Sequence, residues 1–103
     1  MNRLPSISAF FPAYNEEQNV ASMVERLSAV LPRVADDYEI IVVNDGSADR
    51  TGAIADQLAA ADPHVRAVHH AVNRGYGGAL QSGFAASRKE YVFFTDGDGQ
   101  FDV

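Results

Sequence analysis

Short apolar runs alternate with longer segments of helical periodicity along the whole chain, and this alternation leaves few folds open. Apolar or β-branched runs predict strands at residues 7–11, 38–43, 64–71 and 91–95. The three segments between them carry apolar residues at a spacing of three and four, which predicts helices. The resulting order β-α-β-α-β-α-β requires right-handed crossovers and a parallel sheet, so the expected fold class is α/β in one domain over residues 1–103.

Several local signals predict where these elements begin and end. Pro12 is expected to stop the first strand, and Asn15 is expected to cap the first helix with Glu16 and Glu17 in its first turn. Pro32 is expected to end that helix. The third strand is less apolar than the second and is therefore placed near an edge.

Every predicted strand ends in polar or glycine-rich residues. In a parallel sheet these endings lie on one edge, where ligands of open α/β sheets bind. We therefore expect a site at that edge, built from residues 13–16, 44–47, 73–78 and 96–100.

Two carboxylates separated by one residue follow the last strand. Asp96, Asp98 and the amide of Gln100 offer the hard oxygen ligands that suit Mg²⁺ or Mn²⁺. Two neighbouring carboxylates repel each other unless a cation or a shared proton separates them. The alternative is a solvated acidic turn, and the spacing of a calcium loop is absent.

The other three loops offer weaker candidates. Asp45 follows the second strand and can accept hydrogen bonds from a base or ribose, or form an Asx-turn. For Ser47, Asp49 and Thr51 capping is favoured. Tyr14 can stack on a base and Glu16 can hold a ribose hydroxyl, although Pro12 to Glu16 also suits a hydrophobic staple and a first-turn acid.

The stretch from Asn73 to Gly78 resembles an anion-binding nest at a helix N-terminus. Arg74 is a candidate phosphate contact, or simply a solvated side chain. The dinucleotide fingerprint is absent, because only Gly75-x-Gly77-Gly78 occurs and it follows the third strand. Other side chains are assigned structural roles: the histidines at 64, 69 and 70 as structural or surface residues, and the phenylalanines at 84, 93 and 94 as core.

The composition argues against several classes of function. The chain has 8 Lys plus Arg against 14 Asp plus Glu, a formal charge of −6, which argues against nucleic acid and against a basic membrane-binding patch. It has no cysteine. No apolar run reaches the roughly 18 residues of a membrane span and no signal peptide is evident. The expected location is therefore cytoplasmic, with any attachment to the cytoplasmic face of a membrane supplied elsewhere.

Four motifs in order resemble the N-terminal part of family 2 glycosyltransferases of the GT-A fold, in the branch of dolichyl-phosphate mannosyltransferases and polyprenyl-phosphate glycosyltransferases. They are PAYNEE at 12–17, VVNDGSADRT at 42–51, NRGYGGA at 73–79 and DGDGQ at 96–100. The resemblance implies a Rossmann-like, three-layer, nucleotide-sugar-binding half with four mainly parallel strands in the order 3-2-1-4 and three helices.

The resemblance also implies roles for matching positions. The nucleotide-binding residues would be Pro12, Ala13, Tyr14, Glu16, Asp45, Gly46, Arg74, Gly75 and Asp96. Asp96 and Asp98 would be the catalytic carboxylates, with Asp98 and Gln100 holding the metal and donor diphosphate. The implied reaction is metal-dependent, inverting transfer from a UDP- or GDP-linked sugar to a polyprenyl phosphate or a glycan.

Two departures from the family pattern bear on these expectations. Asn44 stands where the branch often has Asp, and the chain ends at Val103, before the family's acceptor-binding half. The expected molecule is thus a donor-binding fragment, inactive alone, whose edge strand Tyr91–Thr95 is free to self-associate. Alternatives are a nucleotide-binding or interaction module without activity and a haloacid-dehalogenase-like phosphatase, which would need its D-x-D on the first strand.

Overall fold

The computed structural model describes residues 3–95, which form one parallel sheet with helices on both faces. The strands are β1 (Leu4–Ala13), β2 (Ala35–Asn44), β3 (Val65–His69) and β4 (Tyr91–Phe94). The helices are α1 (Val20–Val34), α2 (Thr51–Ala61) and α3 (Gly75–Ala86). The sheet order is β3-β2-β1-β4 with parallel pairing throughout. The predicted fold class and strand order are confirmed, and β3 lies at an edge as expected.

Alternation along β1 and β2 divides the core into two layers. One set of side chains, including Phe11 and Val42, packs with the buried faces of α1 and α2. The other set, including Phe10 and Ile41, packs against Ala79 of α3. Phe10 is fully buried, and burial of such a side chain contributes about 1.5–3 kcal/mol relative to exposure. Near-continuous apolar strands are needed because both faces of the sheet are covered.

The boundaries around α1 differ from the prediction. Pro12 lies inside β1, because a proline φ suits extended backbone and the next carbonyl, of Ala13, accepts the Asp45 amide at 2.9 Å. Asn15 is not the N-cap: it has φ +54°, and its side-chain oxygen accepts the Ala48 amide at 2.9 Å. Its side chain serves a neighbouring loop, so the helix begins only at Val20.

The helix also continues past Pro32 to Val34, so Pro32 does not end it. A proline in the last turn removes only one intrahelical hydrogen bond. At the end of the helix the Arg3 guanidinium donates to the carbonyls of Pro32 at 2.8 Å and Arg33 at 3.2 Å, and also to that of Ala35, the first residue of β2, at 2.6 Å. Glu16 and Glu17 precede the helix and are not in its first turn.

The aromatic side chains near β4 are not buried core, contrary to the prediction. Phe84, Phe93 and Phe94 are 49%, 44% and 41% exposed. Phe84 and Phe94 pack on Phe10, with ring centroids 5.1 and 5.6 Å away. Phe93 lies on the other face of β4 and lines an apolar groove of about 650 Å³ beside α1. These side chains are half-buried because β4 lies at an edge of the described sheet.

Glu39 anchors the connection between α3 and β4 to the sheet. Its buried carboxylate accepts the Ser8 hydroxyl at 2.6 Å, the Arg88 amide at 2.8 Å and the Arg66 guanidinium at 3.0 Å. The Ser8 oxygen in turn accepts the Lys89 amide at 3.0 Å. Burial opposes ionisation, yet these hydrogen bonds outweigh it and lower the pKa of Glu39. The start of β4 is thereby fixed against β1.

Candidate nucleotide-binding site

The carboxyl ends of the strands meet at one edge of the sheet, as the sequence predicts. Ala13 at the end of β1 is in register with Asn44 at the end of β2, and Asn44 is in register with His69 at the end of β3. On the other side of β1, the Thr95 amide donates to the Phe10 carbonyl at 3.2 Å. The segments that follow β1, β2 and β3 are called loop 1 (residues 14–19), loop 2 (residues 45–50) and loop 3 (residues 70–74).

Loops 1 and 2 are joined by hydrogen bonds from backbone amides to side chains. The Asn15 amide donates to the Ser47 hydroxyl at 2.9 Å, and the Glu16 amide donates to the Thr51 hydroxyl at 2.8 Å. The Glu17 amide donates to the Asp49 carboxylate at 3.2 Å. Ordering by partners within the protein fixes the shape of the loops before a ligand arrives, which reduces the entropy cost of binding.

The N-cap of α2 is Arg50, which makes no side-chain capping hydrogen bond, so of the residues expected to cap only the neighbouring Asp49 contacts an amide of the helix. Its carboxylate accepts the Thr51 amide at 2.9 Å, at the start of α2, and also accepts the Thr51 hydroxyl. Desolvation opposes ionisation of Asp49, but these hydrogen bonds prevail and lower its pKa. Ser47 and Thr51 instead accept amides of loop 1, so they connect loops and cap no helix.

Asp45 lies at the centre of the loop cluster. Its side chain is 5% exposed, and its Oδ1 accepts hydrogen bonds from His70 Nδ1 at 2.7 Å and from the backbone amide of Arg74 at 2.8 Å. Burial raises the pKa of this carboxyl, but the hydrogen bonds from Arg74 and His70 outweigh that effect and leave it below the usual value. Asp45 is therefore a buried carboxylate that stays ionised at neutral pH.

Gly46 allows loop 2 to touch loop 3. It has φ +72°, and a Cβ there would lie 2.4 Å from the Asn73 amide nitrogen and 2.5 Å from the Val72 carbonyl carbon. A side chain would clash with backbone, and the left-handed conformation is itself unfavourable for other residues. The close contact holds the glycine-rich segment beside Asp45.

The remaining predicted residues lie around this centre with differing exposure. Tyr14 is 50% exposed, as needed for stacking on a ligand ring. Glu16 is half-buried, and its carboxylate accepts the Asn19 amide group at 2.6 Å. Arg74 precedes α3, and Gly75, with φ +80°, is its first residue. The expected glycine-rich turn is therefore mostly the first turn of a helix, an end that favours anions.

The predicted metal ligands Asp96, Asp98 and Gln100 lie outside the described residues. Within residues 3–95, no three His, Asp or Glu side chains are grouped closely enough to hold a metal. The described chain reaches Thr95, next to the D-x-D motif, at the loop-bearing edge of the sheet. The oxygen donors of that motif suit Mg²⁺ or Mn²⁺ by chemistry.

His70 has a larger part in the site than its sequence context suggests. Its side chain is 2% exposed, and it connects Asp45 to the Ser82 hydroxyl of α3, 2.7 Å from its Nε2. The prediction of a structural histidine is confirmed, but the link to Asp45 depends on the bend after β3 and could not be deduced from spacing. His69 points to the other face, where its Nδ1 lies 2.9 Å from the Asn44 amide group.

A four-stranded parallel sheet between two helical layers, with its loops joined around a buried carboxylate, defines a Rossmann-like α/β domain of the nucleotide-binding type. Comparison with known proteins gives the family. The model of Glycosyl transferase family 2 matches residues 8–103, and the chain belongs to that family.

The individual proteins that the chain resembles also carry glycosyltransferase names. Glycosyltransferase AglD of Haloferax volcanii is 43% identical over 101 residues, which are 94% of this chain and 16% of that protein. A dolichyl-phosphate beta-glucosyltransferase of Drosophila melanogaster is 38% identical over 102 residues, which are 90% of this chain and 31% of that protein. The mannosyltransferase PcManGT from Pyrobaculum calidifontis, solved with GDP-Man and Mn²⁺, superimposes with a TM-score of 0.81 at 26% identity, over 94% of this chain and 28% of that one.

The chain thus spans less than a third of each of these relatives. In residues 3–95, no helix is both long and apolar enough to cross a membrane.

Proposed function

We propose that the chain is the donor-binding part of a metal-dependent, inverting glycosyltransferase that uses a nucleotide-diphosphate sugar. The observation that carries this proposal is the joining of loops 1, 2 and 3 around the buried carboxylate of Asp45 at the carboxyl edge of the sheet. Family membership supports it, as does the GDP-Man bound in a mannosyltransferase of the same fold.

The nucleoside is proposed to lie against loops 1 and 2. Tyr14 is exposed enough to stack on the base, and Asp45 is an ionised acceptor for its N–H groups. Pro12, Ala13 and Gly46 form backbone walls, while Glu16 and Asp96 are proposed to bind the ribose. Arg74 and Gly75, at the start of α3, are proposed to contact the phosphates.

The metal is proposed to be held by Asp98 and Gln100 with Asp96, and to be Mg²⁺ or Mn²⁺. The donor set is all oxygen, and Mn²⁺ is present in the PcManGT complex. When bound, the cation supplies positive charge against the donor diphosphate. The carboxylates Asp96 and Asp98 are the proposed catalytic residues, because they would hold the metal and, through it, the donor diphosphate that leaves as the sugar is transferred.

The acceptor is proposed to be a polyprenyl phosphate. The relative from Drosophila melanogaster is named for a dolichyl phosphate acceptor. An anionic phosphate needs no general base, and none of the described loop residues is placed as one. Acceptor binding is proposed to require the region that relatives carry beyond the matched part. The transfer itself is proposed to take place at the cytoplasmic face of a membrane. The 103-residue chain is therefore expected to bind the donor without completing transfer.

Titration calorimetry tests the donor site. UDP, GDP and their sugar conjugates are titrated into the chain with and without Mn²⁺, and into a variant carrying Asp96→Asn and Asp98→Asn. The expected result is binding of one nucleotide series that depends on Mn²⁺ and is at least tenfold weaker in the variant. A folded chain that binds no nucleotide in the presence of Mn²⁺ would overturn the proposal.

We also propose that β4 pairs with a second copy of the chain. Its side chains, Tyr91 to Phe94, are all 41–49% exposed, and an exposed apolar edge strand is a template for pairing. Light scattering at high micromolar concentration is expected to show a dimer or larger species, which Val92→Lys reduces. A monomer at that concentration would contradict this proposal without affecting the donor site.

A further inference from the structure

Asp45 depends on its neighbours for its orientation and charge. A carboxylate with 5% of its side chain exposed needs hydrogen-bond donors from the protein, because water reaches little of it. Among the described contacts, Oδ1 has one side-chain donor, His70 Nδ1 at 2.7 Å, and one backbone donor, the Arg74 amide at 2.8 Å. The histidine is therefore the side chain that most directly sets the position of this carboxylate.

His70 is itself held on two sides. Its amide donates to the Asn44 carbonyl at 2.9 Å, which continues the pairing of β2 with β3 by one residue. Its Nε2 lies 2.7 Å from the Ser82 hydroxyl of α3. Because a carboxylate only accepts, Nδ1 carries the proton; in the neutral ring Nε2 then accepts the Ser82 proton. The hydrogen-bond network assigns this tautomer.

We propose that His70 is a positioning residue for nucleoside recognition, aligning the Asp45 carboxylate through Nδ1 while Ser82 fixes the orientation and tautomer of its ring. This inference rests on the proposed donor site, in which Asp45 meets the base. His70 itself does not touch the nucleotide. The hydrogen bonds from Ser82 to His70 and from His70 to Asp45 connect the middle of α3 to loop 2.

A positioning role for His70 predicts different effects on the two parts of the nucleotide, the nucleoside and the diphosphate. If His70 acts through Asp45, its loss weakens contacts to the base and leaves contacts to the diphosphate unchanged. A general loosening of the fold would weaken both. Inorganic pyrophosphate with Mn²⁺ therefore serves as a probe that lacks the nucleoside, alongside the nucleoside diphosphate that binds the wild-type chain.

Three variants and one control are compared by calorimetry with both probes. His70→Phe keeps the ring but removes both nitrogens, His70→Asn keeps a donor near the Nδ1 position, and Ser82→Ala removes the orienting hydroxyl. His64→Phe is the matched control, because His64 stacks on Tyr38 with centroids 4.1 Å apart, at the amino end of β3 and away from the loops. Thermal unfolding is recorded for each.

We expect His70→Phe to weaken nucleoside diphosphate binding by about ten- to hundredfold, because a misplaced Asp45 loses its proposed hydrogen bond from the base, and a bond to a charged group has about this effect. Pyrophosphate binding should stay within twofold of wild type. His70→Asn should recover most of the loss, Ser82→Ala should weaken nucleotide binding several-fold, and His64→Phe should match wild type.

Different results would overturn different statements. If wild type binds no nucleotide, the proposed donor site fails and the role of His70 fails with it. If wild type binds but His70→Phe binds equally well, only the positioning role fails. Equal weakening of both probes would show a structural role instead. Should His70→Phe unfold, Ser82→Ala decides the question. Weaker nucleotide binding with unchanged pyrophosphate binding in Ser82→Ala would support the positioning role, whereas wild-type affinity for the nucleotide or equal weakening of both probes would overturn it.

Discussion

Gly83 sets how closely α3 approaches the sheet. A Cβ at this position would lie 2.1 Å from two carbons of the Phe10 ring, which is fully buried between β1 and the helix. The same ring contacts Phe84 and Phe94, so it has little freedom to move. The glycine is thus a packing requirement, and the sequence alone could not indicate that its reason is contact with one aromatic ring.

Gly83→Ala is predicted to lower the free energy of unfolding by about 1–3 kcal/mol, because overpacking forces the ring or the helix to shift. Gly77→Ala is the matched control in the same helix. Apart from its chain neighbours and the helix's own backbone, no atom lies within 4 Å of a Cβ there, so the substitution should be neutral or stabilise by up to about 1 kcal/mol. Urea unfolding followed by circular dichroism measures both. Equal stability of the two variants would show that the close contact is unimportant.

At the scale of elements, the strands were the most predictable part and the start of α1 the least. The run from Tyr38 to Val43 could only be a doubly covered strand, since continuous β-branched residues require apolar neighbours on both faces. The first helix starts later than predicted because the Asn15 side chain serves loop 2, a contact between residues 33 apart in sequence. The joining of the loops and the His70 contact with Asp45 are long-range in the same way.

The anchor between β2 and the start of β4 gives an element-scale prediction. Glu39→Gln should reduce the free energy of unfolding by about 1–3 kcal/mol. The NH₂ of the glutamine would face donors in either orientation, those of Ser8 and Arg88 or that of Arg66, which leaves one polar group unpaired. Asp36→Asn is the control. It breaks an exposed ion pair with Arg3, for which a change below about 1 kcal/mol is typical. A similar loss of unfolding free energy in both variants would contradict the anchoring role of Glu39.

The whole molecule is expected to be acid-sensitive for reasons that can be localised. The pKa values of Glu39 and Asp45 are lowered in the folded state, so each stabilises the fold fully above its unfolded-state pKa of roughly 4. That contribution is lost as the pH falls through this value towards the folded-state pKa. Stability should therefore be level above about pH 5.5 and decline below about pH 4.5.

Denaturant unfolding between pH 3.5 and 7 measures this dependence. The double variant Glu39→Gln, Asp45→Asn should be less stable at neutral pH and should lose less stability on acidification, because both shifted carboxyls are gone. If the free energy of unfolding falls as steeply with decreasing pH in the double variant as in the wild type, the acid sensitivity comes from other carboxyls.

The central claim is that the carboxyl ends of the strands form one site for a metal-bound nucleotide. The most direct test is paramagnetic broadening of backbone amide resonances by substoichiometric Mn²⁺ in the presence of a saturating nucleoside diphosphate. Amides of Tyr14, Asp45, Gly46 and Gly75 should broaden, whereas those of Asp37, His64 and Lys89 at the opposite edge should not. Broadening confined to the opposite edge, or none with nucleotide present, would contradict the claim.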